Sequence, residues 1–283
     1  MIGKLINHMR ASEETAPRLA PGWRHEYKYT ISYKAMLESY LRLQGIMQPD
    51  SHAYPLSVLP TRPRLTLPGY TVATLYWDGI ERKGVGGKMS GYDNRYRYRM
   101  RYYPDPDKPE SLPQFFRLER KHRAAGASRK SSVRLSCEEA EALIDGTDFH
   151  RRAAVLSALR NERERGEFVS QFVAEQTIER LEPRLFVVYD RIPLIHPVGN
   201  VRLTFDLNLR VAPYSRSGST AEDNSRNLLL PGLTRPIFEP NQLIMELKYD
   251  RVLPQMIALL LRREGMPLEA ISKYIYCVEK TLY

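Results

Sequence analysis

Between residues 95 and 103 the chain alternates without a break. Arg95, Arg97, Arg99 and Arg101 take the odd positions, and Tyr96, Tyr98, Met100 and Tyr102 the even ones. Successive side chains of a β-strand point to opposite faces, so a period of two predicts a strand with one cationic and one aromatic face. A helical step would scatter both sets around a cylinder. The same division recurs along the chain. Residues 23–31 set Arg24, Glu26, Lys28 and Thr30 against His25, Tyr27, Tyr29 and Ile31. Residues 114–123 set Arg117, Glu119, Lys121 and Arg123 against Phe116 and Leu118, and residues 129–136 set Lys130, Ser132 and Arg134 against Val133 and Leu135. Residues 200–207 set Arg202, Thr204 and Asp206 against Val201, Leu203 and Phe205, and this strand either continues or bends into 208–211. Residues 242–249 set Glu246 and Lys248 against Met245 and Leu247. Two further strands are predicted at 70–77 and at 184–192, the latter ending near Arg191.

Other stretches carry a helical period. Ser32 can cap a helix from 33 to about 47, with Met36, Leu37, Tyr40, Leu41 and Leu43 as its apolar stripe. Residues 138–181 read as two or three helical pieces inserted between strands. An apolar helix is expected over 251–264, ended by Gly265, and Pro267 opens a last one through Glu279. Residues 1–22 read as a mobile arm with a short helix near Leu5, 48–69 as a proline-rich connector, 79–94 as a glycine-containing loop and 214–227 as a polar surface loop.

Several strands with one charged face cannot share a conventional core. Either the sheet is open with its charges in water, or it closes so that the charges line a wet channel and helices cover the apolar exterior. The supply of amphipathic helices favours closure. The expectation is an α+β fold: an antiparallel closed barrel of about eight strands forming a polar tunnel, with helices packed outside.

Composition sharpens what the tunnel would hold. The net charge is +10, with 18 tyrosines, which points to an anionic partner: nucleic acid, nucleotide, polyphosphate or a membrane surface. Charge inside a channel disfavours nucleic acid. Arginine pairs spaced two apart on a strand lie about 7 Å from each other and suit successive phosphates. Glu246 stands alone on an apolar strand and reads as a metal carboxylate; Glu119 and Glu26 read as second ligands or as charge partners of the basic residues. His25 falls on the apolar face and reads as structural, while Asp78 and Tyr76 read as strand-end structure. Two cysteines, Cys137 and Cys277, form no zinc or disulfide pattern. With no signal-like or membrane-spanning run, a soluble, cytoplasmic protein is expected. P-loop, Rossmann and nucleophilic-triad signatures are absent: Gly84, Gly86 and Gly87 lack the following Lys-Ser/Thr.

Seven short motifs carry a resemblance: Glu26-Tyr27-Lys28-Tyr29, Arg99-Met100-Arg101-Tyr102-Tyr103, Glu119-Arg120-Lys121, Tyr189-Asp190-Arg191, Val201-Arg202-Leu203, Met245-Glu246-Leu247-Lys248 and Ser272-Lys273-Tyr274. In this order they resemble the catalytic domain of VTC (vacuolar transporter chaperone) polyphosphate polymerases, within the triphosphate tunnel metalloenzyme, or CYTH-like, superfamily. The resemblance implies one tunnel domain over 23–283. It implies that Lys28, Arg99, Arg101, Lys121, Arg191, Arg202 and Lys273 carry the chemistry on phosphates. Arg97, Lys130, Arg134, Lys248 and Ser272 would add substrate contacts, and Glu246, with Glu119 and Glu26, would hold Mn2+ or Mg2+. The implied activity is ATP-dependent elongation of polyphosphate; the alternatives are hydrolysis of tripolyphosphate or a nucleoside triphosphate, and non-catalytic binding of polyphosphate. The implied partners are ATP or another triphosphate and inorganic polyphosphate. No membrane insertion by the chain itself is expected, which leaves room for a membrane-protein partner. Two positions depart from the pattern: Arg24 replaces the first acidic residue of the superfamily's opening strand, and Ala270 stands where the eukaryotic polymerase has a lysine.

Overall fold

A computed structural model describes residues 24–59, 62–79, 95–124, 127–144, 148–214, 228–261 and 272–282. The expectations for residues 1–22, for most of the 79–94 and 214–227 loops, for the helix end at Gly265 and helix start at Pro267, and for Ala270 therefore fall outside the described residues.

Among the described residues eleven strands form: β1 (Arg24–Ile31), β2 (Gln48–Pro49), β3 (Tyr54–Leu59), β4 (Arg62–Asp78), β5 (Arg95–Tyr102), β6 (Phe116–Ala124), β7 (Ala127–Leu135), β8 (Glu182–His196), β9 (Val201–Pro213), β10 (Arg235–Pro236) and β11 (Leu243–Tyr249). Their order is β9-β11-β1-β7-β6-β5-β4-β8, and β8 pairs back onto β9, so eight antiparallel strands close a barrel. The helices with defined bounds are α1 (Tyr33–Leu43), α2 (Cys137–Ile144), α3 (Phe149–Ala158), α4 (Arg163–Ile178), α5 (Gln255–Leu261) and α6 (Lys273–Leu282).

The period-two pattern decides which face each strand turns outward. On the outer side, Tyr29, Ile31, Leu203, Phe205, Met245 and Leu247 pack beneath α1 and α5. Leu75, Trp77, Tyr98, Met100, Phe116 and Leu118 pack beneath the α2–α4 layer. Local signals start these helices as expected: the Ser32 hydroxyl accepts from the Ala35 amide at 3.2 Å. Ser136 and Glu139 exchange backbone and side-chain bonds in a capping box at the head of α2.

Two boundaries differ from expectation for physical reasons, and a third resolves an alternative the sequence left open. Helix α1 stops at Leu43, and a turn then tucks Met47 into the core. The proline-rich stretch is not a plain connector: β3 and the first half of β4 form a hairpin there, whose strand pairing to the barrel runs through β4 while Leu56, Val58 and Leu67 pack into the outer apolar layer. An off-barrel hairpin has edges that tolerate proline's missing donor. Strand β9 runs through to Pro213, but Asn208 has φ +51 and the β8–β9 register slips beside it. That bulge turns Leu209 and Val211 inward, whereas Leu203, Phe205 and Leu207 face out.

Helix α6 packs on the opposite side of the sheet from the other five. Tyr274, Ile275, Cys277 and Val278 meet Val72, Tyr76, Leu185, Val187, Leu209 and Val211. Tyr76 lies opposite Arg99 in the β4–β5 register, so this is the barrel's inner side. The interior is thus divided: α6 and an apolar wall fill one end, and the charged faces line the rest. No helix among the described residues is long and apolar enough to cross a membrane.

Candidate functional site

Four carboxylates organise the charged part of the tunnel. Glu119 on β6 takes Arg99 Nε at 2.7 Å and Lys130 Nζ at 2.8 Å, with Arg101 at 3.7 Å. Glu26 on β1 takes Lys121 at 2.8 Å, Lys28 at 2.8 Å and the Ser128 hydroxyl at 2.7 Å. Glu246 on β11 is flanked by Lys248 at 3.2 Å, Lys28 at 3.5 Å and Arg191 at 3.7 Å. Asp206 on β9 receives Lys273 at 2.5 Å from the first turn of α6, together with Arg191. Side chains from seven barrel strands and one helix therefore meet in one lattice in which cations outnumber carboxylates.

Burial sets the electrostatics. Glu119, Glu246 and Asp206 are 1%, 4% and 0% exposed. Burial alone raises a carboxyl's pKa. Here Arg101, Arg99 and Lys130 outweigh it and hold Glu119 far below the usual range. Arg191 and Lys273 do the same for Asp206, and Lys121 and Lys28 for Glu26. Glu246 is brought to about 2, chiefly by Lys248 and Lys28 against burial and the repulsion of Glu26. All four stay ionised at neutral pH. The cations carry the cost of their excess: burial lowers the Lys121 ammonium to about 7 despite the pull of Glu26, with Lys28 and Lys248 pushing the same way. Burial likewise lowers Lys248.

Several polar atoms of this wall are buried without a hydrogen-bond partner: Arg101 Nε, Thr74 Oγ1 and Thr204 Oγ1. Their residues lie on the inward face, Thr74 opposite Arg101 and Thr204 opposite Glu246. Buried polar groups ordinarily find partners. A wall lined this way is complementary to water or to an oxygen-rich anion.

Of the basic residues singled out in the sequence, Lys28, Arg99, Arg101, Lys121, Lys130, Arg191, Lys248 and Lys273 are in the lattice. Arg97 sits beside it, 4.4 Å over the Tyr274 ring and 3.4 Å from the Ser272 hydroxyl to which it donates. Arg202 lies toward the mouth, bonded to Asp50 at 2.9 Å and to the Tyr70 hydroxyl at 2.6 Å. Arg134 is exposed and stacks on Phe115 at 4.6 Å, outside the lattice. Three residues of the site, one of them within a quoted motif, had been given no part in it. Asp206 shared the charged face with Arg202, and that parity was the available signal. Tyr189 supports both Lys273 and Arg191 on its ring, at 5.0 and 5.2 Å. Tyr76 is no mere strand end: Arg99 and Arg101 outweigh its burial and lower its hydroxyl pKa. Asp78, the other residue read as strand-end structure, accepts from the Tyr274 hydroxyl at 2.8 Å and so fixes α6 in place. His25 lies 4.9 Å from the Tyr249 ring, tilted by 30°, on the outer face, as expected of a structural residue.

No group of three or more His, Cys, Asp or Glu suited to a metal ion occurs among the described residues. Glu26 and Glu246, however, share one cation, Lys28, whose Nζ lies 2.8 Å from the first carboxylate and 3.5 Å from the second. A hard divalent ion that draws its remaining oxygens from phosphate and water needs only one or two carboxylates. That pair fits such an ion. Glu119, enclosed by Arg99, Arg101 and Lys130, fits the role of counter-ion.

Residues 23–282 match the family model described as the VTC domain. Among solved structures, the chain is similar to the PH1819 protein of Pyrococcus horikoshii OT3, at 11% identity over 91% of this chain and 99% of that one, with a TM-score of 0.42. It is also similar to the Mediator head module of Schizosaccharomyces pombe, at 6% identity over 84% of this chain and 89% of that one, with a TM-score of 0.40. No protein with a curated description matches.

Proposed function

The chain belongs to the VTC domain family, which implies a polyphosphate-related activity, and from that premise we propose that the tunnel transfers the terminal phosphoryl group of ATP to a growing polyphosphate chain, releasing ADP. The observation that carries this reading is the cation-rich lattice itself. Arg99 and Arg101 from β5, Arg191 from β8 and Lys273 from α6 border the same space, and buried polar atoms there lack partners.

Phosphoryl transfer asks for alignment and charge neutralisation more than covalent chemistry from the protein. Arg99 and Arg101 line the wall at a spacing that suits consecutive phosphates. Lys273 and Arg191, steadied on Tyr189, face the inner end, where negative charge shifts during transfer. Lys28, Lys121 and Lys248 surround the carboxylates of Glu26 and Glu246. Those carboxylates are the residues suited to hold Mg2+ or Mn2+, which when bound would supply positive charge to offset that of the phosphates. Lys130 extends the basic wall toward solvent, its side chain 45% exposed, on the side where the chain would leave.

The test is incubation of the pure protein with ATP and Mg2+ or Mn2+, followed by gel sizing of phosphate chains. Chains growing beyond a few phosphates support polymerisation. Phosphate release without chain growth would assign the tunnel to triphosphate hydrolysis, and binding without turnover to polyphosphate capture.

A further inference from the structure

Past Arg101, β5 ends at Tyr102 and the next residue, Tyr103, continues the inward-facing odd positions by one step of about 7 Å. Tyr103 is 41% exposed, whereas Tyr70, against whose ring it stands edge-on at 5.4 Å and 83°, is 6% exposed. Tyr70 is itself fixed. It lies opposite Arg191 in the β4–β8 register, and its hydroxyl bonds Arg202, which Asp50 also holds at 2.9 Å. The close approach of β4 to β8 there depends on Gly69, since a Cβ would come within 2.5 Å of the Arg191 carbonyl oxygen. The result is an aromatic face held rigidly at the wet rim of a cationic wall.

The inner end of the same wall meets Lys273 and is filled by α6. A ligand whose terminal phosphate reaches Lys273 therefore keeps its bulkiest part at the rim. We propose that Tyr103, buttressed by Tyr70, is the stacking platform for the base of a nucleoside triphosphate, and that Tyr103 is what separates nucleotide from bare polyphosphate at this site. This inference rests on the phosphate-tunnel reading above. Every base offers a π-face, so a stacking ring tolerates any base.

The experiment is calorimetric binding of ATP, GTP and inorganic tripolyphosphate to the full chain in Mg2+, for wild type, Tyr103→Ala and Tyr103→Phe. Loss of a base-stacking ring should weaken ATP and GTP by roughly tenfold in Tyr103→Ala. Tripolyphosphate should be held as in wild type, and Tyr103→Phe should bind all three as wild type does. The platform is overturned if Tyr103→Ala binds ATP normally, or if ATP and tripolyphosphate weaken together, which would place Tyr103 on the phosphate path. Failure of the wild type to bind tripolyphosphate would overturn the tunnel reading itself, and the platform with it.

Discussion

Arg191 grips Asp206 with two nitrogens, Nε at 2.7 Å and Nη2 at 2.9 Å, and β8 and β9 set the two residues directly opposite each other. Lys273 closes on the same carboxylate from α6. One buried anion therefore joins the barrel wall to the helix that fills its inner end. Removing one partner of a buried pair leaves the other uncompensated, at a cost of roughly 3–5 kcal/mol. Asp206→Ala should lose about that much stability in urea unfolding, and a loss under about 1 kcal/mol would contradict the arrangement. Saturating tripolyphosphate should restore part of the loss, because it supplies charge to the stranded Arg191 and Lys273.

The carboxylates divide by environment into two roles, which Glu246→Gln and Glu119→Gln would separate. Glu246 stands beside Glu26, where a divalent ion fits; Glu119 is enclosed by three cations. Glu246→Gln should lower metal-dependent turnover by at least roughly tenfold while leaving tripolyphosphate affinity equal or tighter, since a negative charge has gone. Glu119→Gln should instead destabilise the fold in urea. Equal turnover losses at unchanged stability in both variants would erase the distinction.

The parts of the fold governed by a period of two were legible from residues alone. Arg99 against Met100, or Glu246 against Leu247, leaves no doubt that two faces exist, and a closed barrel is one of two ways to use them. Helix α6 was harder. The spacing of Tyr274, Ile275, Cys277 and Val278 shows a buried stripe but not which side of a sheet it meets. The apolar inner wall that receives it is built partly from Leu209 and Val211, whose inward turn depends on the Asn208 bulge, and a bulge has no period. The β3–β4 hairpin was hidden by its prolines. Asp206 lay on the correct face but belonged to no motif. Its importance comes from the convergence of Arg191, 15 positions away, and Lys273 on α6, which only the folded chain brings together.

Arg101 offers a direct probe of phosphate binding. It is 8% exposed, its Nε lacks a partner, and its nearest carboxylate oxygen is 3.7 Å away, beyond hydrogen-bonding distance. A bound phosphate would complete it. Charge-assisted hydrogen bonds contribute about 2 kcal/mol, so Arg101→Ala should weaken tripolyphosphate by roughly thirtyfold in a calorimetric titration. Arg134→Ala, altering an exposed arginine stacked on Phe115, should change affinity by no more than about twofold. Equal effects from the two would mean that exposed charge, not the tunnel, dominates binding.

Lys121 makes binding depend on pH with a definite sign. Burial holds its ammonium at about 7 in the free protein, against Glu26 and with Lys28 and Lys248 opposing the charge. A bound polyanion favours the charged form and raises that value. Below pH 6 the lysine is protonated in both free and bound states and itself exchanges no proton; the ligand's terminal phosphates, which ionise at about 6, titrate alike in wild type and variant. Above 7 it is largely neutral when free and charged when bound, so binding takes up about one proton and weakens about tenfold per pH unit until the bound-state value is reached. Glu26 and Glu246, held low, stay ionised throughout this range and contribute nothing to it. Stability of the free chain runs the opposite way. A lysine whose folded pKa is depressed costs stability at low pH, and that cost is relieved as pH rises from about 7 toward the unfolded value near 10.5. Tripolyphosphate titrations at pH 5.5 and 8 in buffers of different ionisation enthalpy, compared between wild type and Lys121→Arg, separate the lysine's uptake from the ligand's own ionisation. Lys121→Arg, which stays charged, should abolish most of the uptake, and undiminished uptake in that variant would move the titration to another group.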